Sequence, residues 1–429
     1  MAGAARLVSA QPSHSEEPAY VSVAATPGIL PFPRRHARLY GILSTYPPTQ
    51  CGLATFSAAL SRGLEMNGAA VGIVRVADGT ASPDPRILAE LDNGSPSSVA
   101  EATAELSNCD VAMVQHDYGL YGGRDGDEVL EIVRGLTVPS IVVAHTVLVE
   151  PTVHQRQVLE QVVDAAGAVV VMAQTAARRL CSSFDVDPSK VTVINHGAAS
   201  PDPGYRPSRA GRPILLSWGL FGPGKGIEWA IDAMAGLKDL SPRPRYVVAG
   251  RTHPKVVSSQ GEAYRDMLVA RTWAQGVAGS VTFDSAYRDV RSLTHLIQDA
   301  TVVVLPYDSR DQVTSGVLVD AIAAGRPVVA TAFPHAVELL AGGAGLVVPH
   351  GDAAALSSAL RRVLTEPGLA ESMEREAARL GPAFSWSSVA AQYARLADRI
   401  LDDQVIDDRD LGDRDLTDRR LTSAQALPV

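Results

Sequence analysis

The chain has 429 residues, of which 46% are hydrophobic, and a formal net charge of −9 at pH 7. The length predicts two or three domains with sizeable cores, and the negative charge argues against a general preference for nucleic acid. Its three cysteines lie far apart without a CxxC pair, which argues against a disulfide framework and fits a reducing compartment. Because there is no secretory leader and no apolar run of about 20 residues, we expect a cytoplasmic protein.

The two ends of the chain differ in composition from the rest. Residues 1–36 are rich in Pro, Ser and Ala without periodicity, which predicts a disordered segment. Residues 402–429 carry the charged units DRDLG, DRDLT and DRRLT, which predict a disordered, solvated tail, with partner binding as the alternative.

The first half alternates predicted strands and helices. A strand at 38–45 leads into YPPTQCGLATFSAAL, in which Gly52 stands between a Pro-containing loop and an amphipathic helix at 53–66. A glycine loop between a strand and a helix is typical of the ligand side of an α/β sheet. One glycine is a weak signal, and an ordinary connection is the alternative. Residues 78–98, with several Pro, Gly and Ser, predict a loop with at most one helical turn.

Polar side chains follow two further predicted strands of this half. The strand at 110–115 is followed by His116 and Tyr118, and the strand at 140–144 is followed by His145. Since ligands bind outside the carboxyl ends of parallel strands, we expect these side chains on the crevice side. For His145, a hydrogen-bonded structural role is the alternative.

No convincing metal-ligand cluster stands out in the sequence. Asp125 and Asp127 form a DxD pattern that can hold a metal, but they precede a predicted helix near 128–134, where Asp is a natural N-cap. We therefore expect neither a required metal nor a cofactor.

A polar linker at 202–213 separates the second half, where the alternation of strands and helices restarts. The strand at 214–218 continues into GLFGPGKGIEWAIDAM, in which glycines flank Lys225 just before a helix. A flexible loop with one lysine at a helix N-terminus suits an anion, and a surface lysine on a turn is the alternative. Further on, Arg251 follows a strand, and residues 256–275 predict one long helix.

The stretch 312–340, QVTSGVLVDAIAAGRPVVATAFPHAVELL, predicts a loop, a short helix, a Gly turn, a buried strand and a loop. Ser315 and Gly316 begin the helix, and Gly325 ends it in the left-handed conformation. Free N–H groups at such a helix start suit phosphate, and Asp320 lies about 6 Å further along the axis, within reach of a ribose. An ordinary αβ unit with a solvated Asp is the alternative.

These patterns predict an α/β protein of two doubly wound parallel sheets that face each other across a cleft. We place the N-terminal domain at 37–205, the C-terminal domain at 206–384, and a helix at 385–401 that packs back toward the first domain. Both sets of polar residues then meet in the cleft.

At this point the chain resembles retaining GT-B glycosyltransferases of family 4, the glycosyl transferases group 1. The resemblance rests on GLFGPGKGIEWAIDAM, SRDQVTSGVLVDAIAAGRPVVAT and GAGLVVPHGD in the second half. In the first half, YPPTQCGLATFSAAL and QHDYGLYGG are similar to one branch of the family, so that roughly residues 38–400 are covered.

The resemblance implies roles for residues of both halves. Lys225 would balance the donor diphosphate and His145 would contact the transferred sugar; with Gln312 they are the catalytic candidates. The donor-binding candidates are Gly52, Gly219, Lys225, Arg251, Ser315, Gly316, Val317 and Asp320. The acceptor-side candidates are Gln50, His116 and Tyr118.

Three positions depart from the family pattern. Gln312 stands for the first Glu of the Glu-x7-Glu pair, and Asp320 for the second. Leu220 stands where the family usually has an Arg after the glycine of the lysine loop, and we hypothesise that Arg251 replaces that charge.

The resemblance implies metal-independent transfer of a mannosyl or glucosyl group, with retention, from a nucleotide sugar such as GDP-mannose or UDP-glucose. The partners would be this donor and a saccharide or other small hydroxyl acceptor, without nucleic acid, and a homodimer is possible. The alternatives are a nucleotide-sugar epimerase of the same architecture and a non-catalytic nucleotide-sugar-binding protein.

Overall fold

The protein is described by a computed structural model for residues 37–208, 211–286, 288–309 and 312–403. The segment predicted to be disordered at 1–36 lies outside the described residues, and so does the tail predicted at 402–429, except for residues 402–403, which are helical.

A first sheet of seven parallel strands organises the N-terminal part of the chain. Its strands are β1 (Leu39–Ser44), β2 (Ala70–Val76), β3 (Ile87–Leu91), β4 (Val111–His116), β5 (Ser140–Ala144), β6 (Ala168–Val171) and β7 (Val191–Val193). The helices between them are α1 (Gly52–Met66), α2 (Pro96–Ser107), α3 (Val129–Gly135), α4 (Val153–Ala165) and α5 (Gln174–Ser183). The strand order is β3-β2-β1-β4-β5-β6-β7, and we call this unit the N-terminal lobe.

A second sheet of six parallel strands repeats the plan. Its strands are β8 (Ile214–Trp218), β9 (Arg245–Ala249), β10 (Val281–Asp284), β11 (Val302–Leu305), β12 (Val328–Thr331) and β13 (Gly345–Val348). The helices are α6 (Ile227–Ala235), α7 (Pro254–Gln260), α8 (Ala263–Ala274), α9 (Val290–Asp299), α10 (Gly316–Ala323), α11 (Pro334–Leu339), α12 (Ala353–Thr365) and α13 (Leu369–Leu380). The order is β10-β9-β8-β11-β12-β13, and we call this unit the C-terminal lobe.

The central strands are buried along their whole length because helices cover both faces of each sheet. Every residue of β4, β5, β8 and β11 is buried. The predicted fold class of two doubly wound parallel sheets is confirmed, and both sheets place their loops and helix starts at the carboxyl ends of the strands, where ligands bind in such folds.

Residues 386–403 form a last helix, α14, which returns to the N-terminal lobe. Val389, Tyr393 and Leu396 are buried in the same apolar cluster as Ile42 of β1. The two chain segments that connect the lobes lie side by side, since the backbone N–H of Ala198 donates to the carbonyl of Phe384 (2.7 Å). No helix in the described part of the chain is long and apolar enough to cross a bilayer.

Three predicted segments differ from the structure. The loop expected at 78–98 contains β3 and the start of α2, which Ser95 caps by accepting the N–H of Ser98. The single helix expected at 256–275 is two helices, because Gly261 adopts a positive φ of 61° between them. The loop expected after β12 contains α11, whose first residue is Pro334.

Candidate active site

A cavity in the C-terminal lobe lies at the carboxyl ends of β8 and β11. Gly219, Leu220 and Lys225 line it from the loop after β8, and Val317 lines it from the first turn of α10. Gly219 has a φ of 120°, which favours glycine at this turn. The structure therefore brings the lysine loop and the start of α10, distant in sequence, to one cavity.

The ammonium group of Lys225 lies partly buried in this cavity. Its Nζ is 4.6 Å from the ring centroid of Tyr307, a cation–π contact. Burial lowers the pKa of Lys225, since the charged form loses solvent. In the described part of the chain, no carboxylate lies within ion-pair distance of Nζ, so an anion in the cavity would supply the missing counter-charge.

The first turn of α10 offers backbone donors to the same cavity. The Ser315 side chain caps the helix by accepting the N–H of Leu318 (3.3 Å), and the N–H of Ser315 itself donates to Nδ1 of His335 (2.9 Å). The N–H groups of Gly316 and Val317 have no partner within a helix of this geometry. They are therefore the donors that remain for an anion.

Asp320 follows one turn after these donors. Burial raises the pKa of Asp320 to about 7, and a hydrogen bond from the backbone of Ala199 works in the opposite direction. Since Ala199 belongs to a connection between the lobes, the carboxyl group lies where the lobes meet. Near neutral pH it is a mixture of the neutral and ionised forms.

Two of the predicted site residues lie outside the cavity lining: Gln312, which stands for the family's first Glu, and Arg251, which we expected to replace the charge missing at Leu220. The Gln312 side chain donates to the carbonyl of Thr314 (3.0 Å), within its own loop. Arg251 is exposed, and its Nε donates to the carbonyl of Ser285 (3.2 Å). Its backbone carbonyl accepts the N–H of Phe221 (2.9 Å), so Arg251 does lie beside the lysine loop.

His145 extends from the end of β5 in the N-terminal lobe. Its Nε2 is 2.7 Å from Oε1 of Gln115, and its ring packs edge-on against Phe56 (centroids 4.9 Å apart). Burial lowers the pKa of His145 to about 3, and the nearby His196 and His116 lower it further. The imidazole is therefore neutral at pH 7 and suits a hydrogen bond to a sugar hydroxyl rather than proton abstraction.

The two predicted acceptor-side residues differ in burial: His116 is fully buried, whereas Tyr118 is partly exposed and packs against the core of the N-terminal lobe. His116 is the last residue of β4 and has no exposed surface, because its strand pairs with β5 as far as Ala144. Within the described residues neither of its ring nitrogens has a hydrogen-bond partner, and the same is true of the Tyr118 hydroxyl.

The loop before α1 places Gln50 on the surface and Gly52 at the helix start. A methyl group added at Gly52 would meet nothing within 4 Å, so there is room for a ligand. Cys51 caps the helix, with its Sγ 3.4 Å from the N–H of Ala54. The expected N-cap role of the DxD pair is not seen: Asp125 and Asp127 instead both contact the imidazole of His154.

Sequence reasoning missed Arg75, which holds this loop in place. Arg75 is fully buried and donates to the Tyr46 carbonyl (3.1 Å) and to the Thr49 hydroxyl (2.8 Å). It also pairs with Asp78 (2.6 Å). A charged residue inside an otherwise apolar strand was the available signal, because a buried guanidinium needs partners.

Comparisons with known proteins match the second half of the chain best. Residues 205–380 match the sequence model of the family Glycosyl transferases group 1. The chain is 30% identical over 253 residues to the D-inositol 3-phosphate glycosyltransferase of Nocardioides sp., which covers 54% of each chain. It is 28% identical over 214 residues to the phosphatidyl-myo-inositol mannosyltransferase of Mycobacterium leprae, which covers 50% of this chain and 53% of the relative. The chain spans about half the length of these curated relatives.

Solved structures match over most of the chain. Sucrose-phosphate synthase from Thermosynechococcus elongatus superposes with a TM-score of 0.67 at 18% identity, covering 85% of this chain and 99% of that one. HepE of Anabaena in complex with UDP and glucose gives a TM-score of 0.66 at 15% identity, covering 84% and 100%. The fold is accordingly GT-B, as the sequence motifs predicted.

Proposed function

Because the C-terminal lobe belongs to the glycosyl transferases group 1, we propose that the protein is a glycosyltransferase that uses a nucleoside-diphosphate sugar. The acceptor would be a hydroxyl group of a saccharide or another small molecule. The observation that carries this proposal is the single cavity lined by Lys225 and Val317, which combines an ammonium group with the free donors of a helix start.

The reaction breaks the bond between the anomeric carbon of the sugar and the diphosphate oxygen, which keeps the electron pair. Lys225 and the N–H groups of Gly316 and Val317 stabilise the charge that develops on this oxygen. The acceptor oxygen forms the new bond to the anomeric carbon, and its proton passes to the departing diphosphate. Attack from the same face gives retention, and neutralisation by these groups removes the need for a metal.

The transferred group is a hexosyl, either mannosyl or glucosyl, carried by GDP or UDP. A mannosyltransferase among the relatives supports the first choice, and a UDP- and glucose-bound structural neighbour supports the second. Asp320 binds the ribose hydroxyls one turn beyond the diphosphate. Neutral His145 donates from Nε2 to Gln115 and accepts a hydrogen bond from a hydroxyl of the sugar at Nδ1.

A thermal-shift panel with UDP, GDP, UDP-glucose and GDP-mannose tests donor binding, since a ligand of the folded state raises Tm by mass action. The donor that binds is then incubated with acceptor sugars, and release of its nucleoside diphosphate is measured with the Lys225→Met variant as control. We expect wild type to release the nucleoside diphosphate in the presence of an acceptor and Lys225→Met to have lost this activity. Absence of binding to all four compounds would contradict the proposal, as would conversion of the donor to an epimer without any acceptor.

A non-catalytic nucleotide-sugar-binding protein is the second candidate. It is favoured by the amide of Gln312, which brings no negative charge and donates to the Thr314 carbonyl, and by Leu220 in the cavity lining. Donor binding with no transfer to any acceptor and no hydrolysis would support this second function over the first.

A further inference from the structure

His196 lies on the segment that leads from β7 to the C-terminal lobe, and its ring is held in one orientation. Nδ1 is 2.6 Å from the carbonyl oxygen of Gly197. The ring centroid is 5.1 Å from that of Phe56 and 5.6 Å from that of Trp386. Phe56 belongs to α1 and Trp386 to α14, so both elements fix the imidazole.

The opposite edge of this ring faces the start of α10. A methyl group built on Gly316 would lie 2.8 Å from Cε1 and 2.9 Å from Nε2 of His196. Nε2 has no hydrogen-bond partner among the residues that the structure describes. The unpartnered nitrogen therefore lies against Gly316, in the first turn of α10.

We propose that Nε2 of His196 is a ligand of the donor diphosphate, contributed to the site by the segment that connects the lobes. This inference rests on the proposed function, which places a diphosphate between Lys225 and the start of α10. The neighbouring cavity, which Val317 lines, already carries one ammonium group without a carboxylate partner in the described part of the chain. A second cationic donor would also stand in for the Arg that Leu220 replaces.

The hydrogen bond from His196 to the diphosphate requires a proton on Nε2. The carbonyl of Gly197 only accepts, so Nδ1 carries the hydrogen and Nε2 of the neutral ring carries a lone pair. Phosphate oxygens also accept, so Nε2 must be protonated before it donates to them. Burial lowers the pKa of His196 to about 4 in the absence of ligand, and hence the diphosphate brings in one proton from solvent.

Other titratable groups face the same region and must be separated from His196. His145 and His335 lie close enough to interact electrostatically with His196. Asp320 accepts a hydrogen bond from the backbone of Ala199, which is close to His196 in the chain. Lys225 lines the neighbouring cavity. All four are unchanged in variants of His196, so a difference between wild type and variant isolates this residue.

Two substitutions divide the functions of the ring. His196→Gln carries an amide nitrogen near the position of Nε2 and donates without being protonated. His196→Asn keeps a donor near the position of Nδ1 for the Gly197 carbonyl but does not reach the start of α10. Calorimetric titrations with UDP and GDP, and with UMP and GMP as ligands that lack the second phosphate, are run in PIPES and Tris, whose ionisation enthalpies differ.

We expect wild type to take up about one proton more than His196→Gln on binding the diphosphate, with affinities within about threefold of each other. His196→Asn should bind the diphosphate about tenfold to a hundredfold more weakly, as for a lost charge-assisted hydrogen bond, and the monophosphate almost unchanged. A purely structural role would weaken both ligands equally.

Equal proton uptake by wild type and His196→Gln, or equal diphosphate affinity of wild type and His196→Asn, overturns the proposal while leaving the proposed function intact. If wild type binds neither UDP nor GDP, both proposals fall together. Thermal melts of each variant show whether it is folded, and the Gln variant alone decides the outcome if the Asn variant does not fold.

Discussion

The carboxylate of Glu338 in the C-terminal lobe accepts the backbone N–H of Thr175 in the N-terminal lobe at 2.8 Å. It also accepts the N–H of Gln174 and the hydroxyl of Thr175, each at 2.8 Å. The N-cap residue of helix α5 is Ala173, whose methyl side chain cannot accept a hydrogen bond. Glu338 therefore caps a helix of the other lobe and complements its dipole.

Replacing Glu338 should loosen the two lobes. We expect Glu338→Ala to lower the free energy of unfolding by about 1–2 kcal/mol, as for a lost helix cap, and to broaden the particle in small-angle scattering. Glu338→Gln keeps one acceptor oxygen, so its free energy of unfolding should lie between those of wild type and Glu338→Ala. Glu101→Ala, on the exposed surface of α2, is the control and should change neither quantity. Identical scattering for all variants would exclude a contact that holds the lobes together.

The pH dependence of this contact has a defined sign. Burial raises the pKa of Glu338, but the hydrogen bonds from Gln174 and Thr175 outweigh this effect, so the pKa is lowered. A lowered carboxyl pKa contributes stability above the ordinary value of about 4.3, and this stability is lost as the pH falls through the folded-state value. The Tm difference between wild type and Glu338→Gln should therefore shrink below about pH 4.

Lys225→Met should separate function from stability. Loss of the ammonium group should reduce turnover on the order of 10²–10³-fold, as for other lost oxyanion donors. The same change should raise Tm without ligand, because burial lowers the Lys225 pKa and the charged form destabilises the folded state. Lys238→Met is the control, since this exposed lysine donates to the Gln275 carbonyl, away from the cavity. Near-normal turnover of Lys225→Met would remove Lys225 from the mechanism.

Asp320→Asn should stabilise the protein in a pH-dependent manner. The folded-state pKa of about 7 lies above the ordinary value of 3.8. The unfolded chain therefore loses its proton first, and stability of wild type falls as pH rises between these values. The Tm advantage of the Asn variant should be near zero at pH 4 and grow to a plateau above about pH 7. A constant difference across this range would contradict the raised pKa.

Gly316→Ala tests the close approach of the two lobes at the start of α10. The added methyl meets the His196 ring, which cannot move freely, and overpacking of this kind costs about 1–3 kcal/mol. We expect a lower Tm and weaker binding of UDP or GDP, with Tm partly recovered by a second change, His196→Ala. Gly279→Ala, where an added methyl meets nothing, is the matched control. An unchanged Tm for Gly316→Ala would show that the ring does not lie against this residue.

Arg251→Ala tests whether this residue compensates for Leu220. The Arg251 backbone bonds to the lysine loop, but its side chain donates to the Ser285 carbonyl in the unliganded protein. We expect about tenfold weaker donor binding, because a charged contact to the diphosphate would be lost. Unchanged donor affinity in calorimetry would end this assignment.

Local features followed from the sequence because they depend on neighbouring residues. The strands predicted at 140–144 and 214–218 are β5 and β8, since buried apolar runs between turn residues are local patterns. Ser315 is the N-cap of α10, and Gly325 follows that helix with a φ of 68°, as predicted from their residue types. The βα rhythm also determined the fold class.

The helices that were missed show where local signals are insufficient. Ser95 and Pro96 begin α2, but the surrounding Pro, Gly and Ser residues favoured a loop. Helix α11 spans only Pro334–Leu339, and a helix so short is stable mainly through its contacts. Those contacts are His335 with the start of α10 and Glu338 with the other lobe.

The sequence by itself determined the order of strands and helices, the two sheets, and the residue types available at their carboxyl ends. Only the tertiary structure decided which of those residues share a site: it brought Lys225 to Val317, placed His196 against Gly316, and turned His116 into the core. The reason is that periodicity reports on which face of an element is buried, whereas contacts between distant segments depend on how two whole lobes pack together.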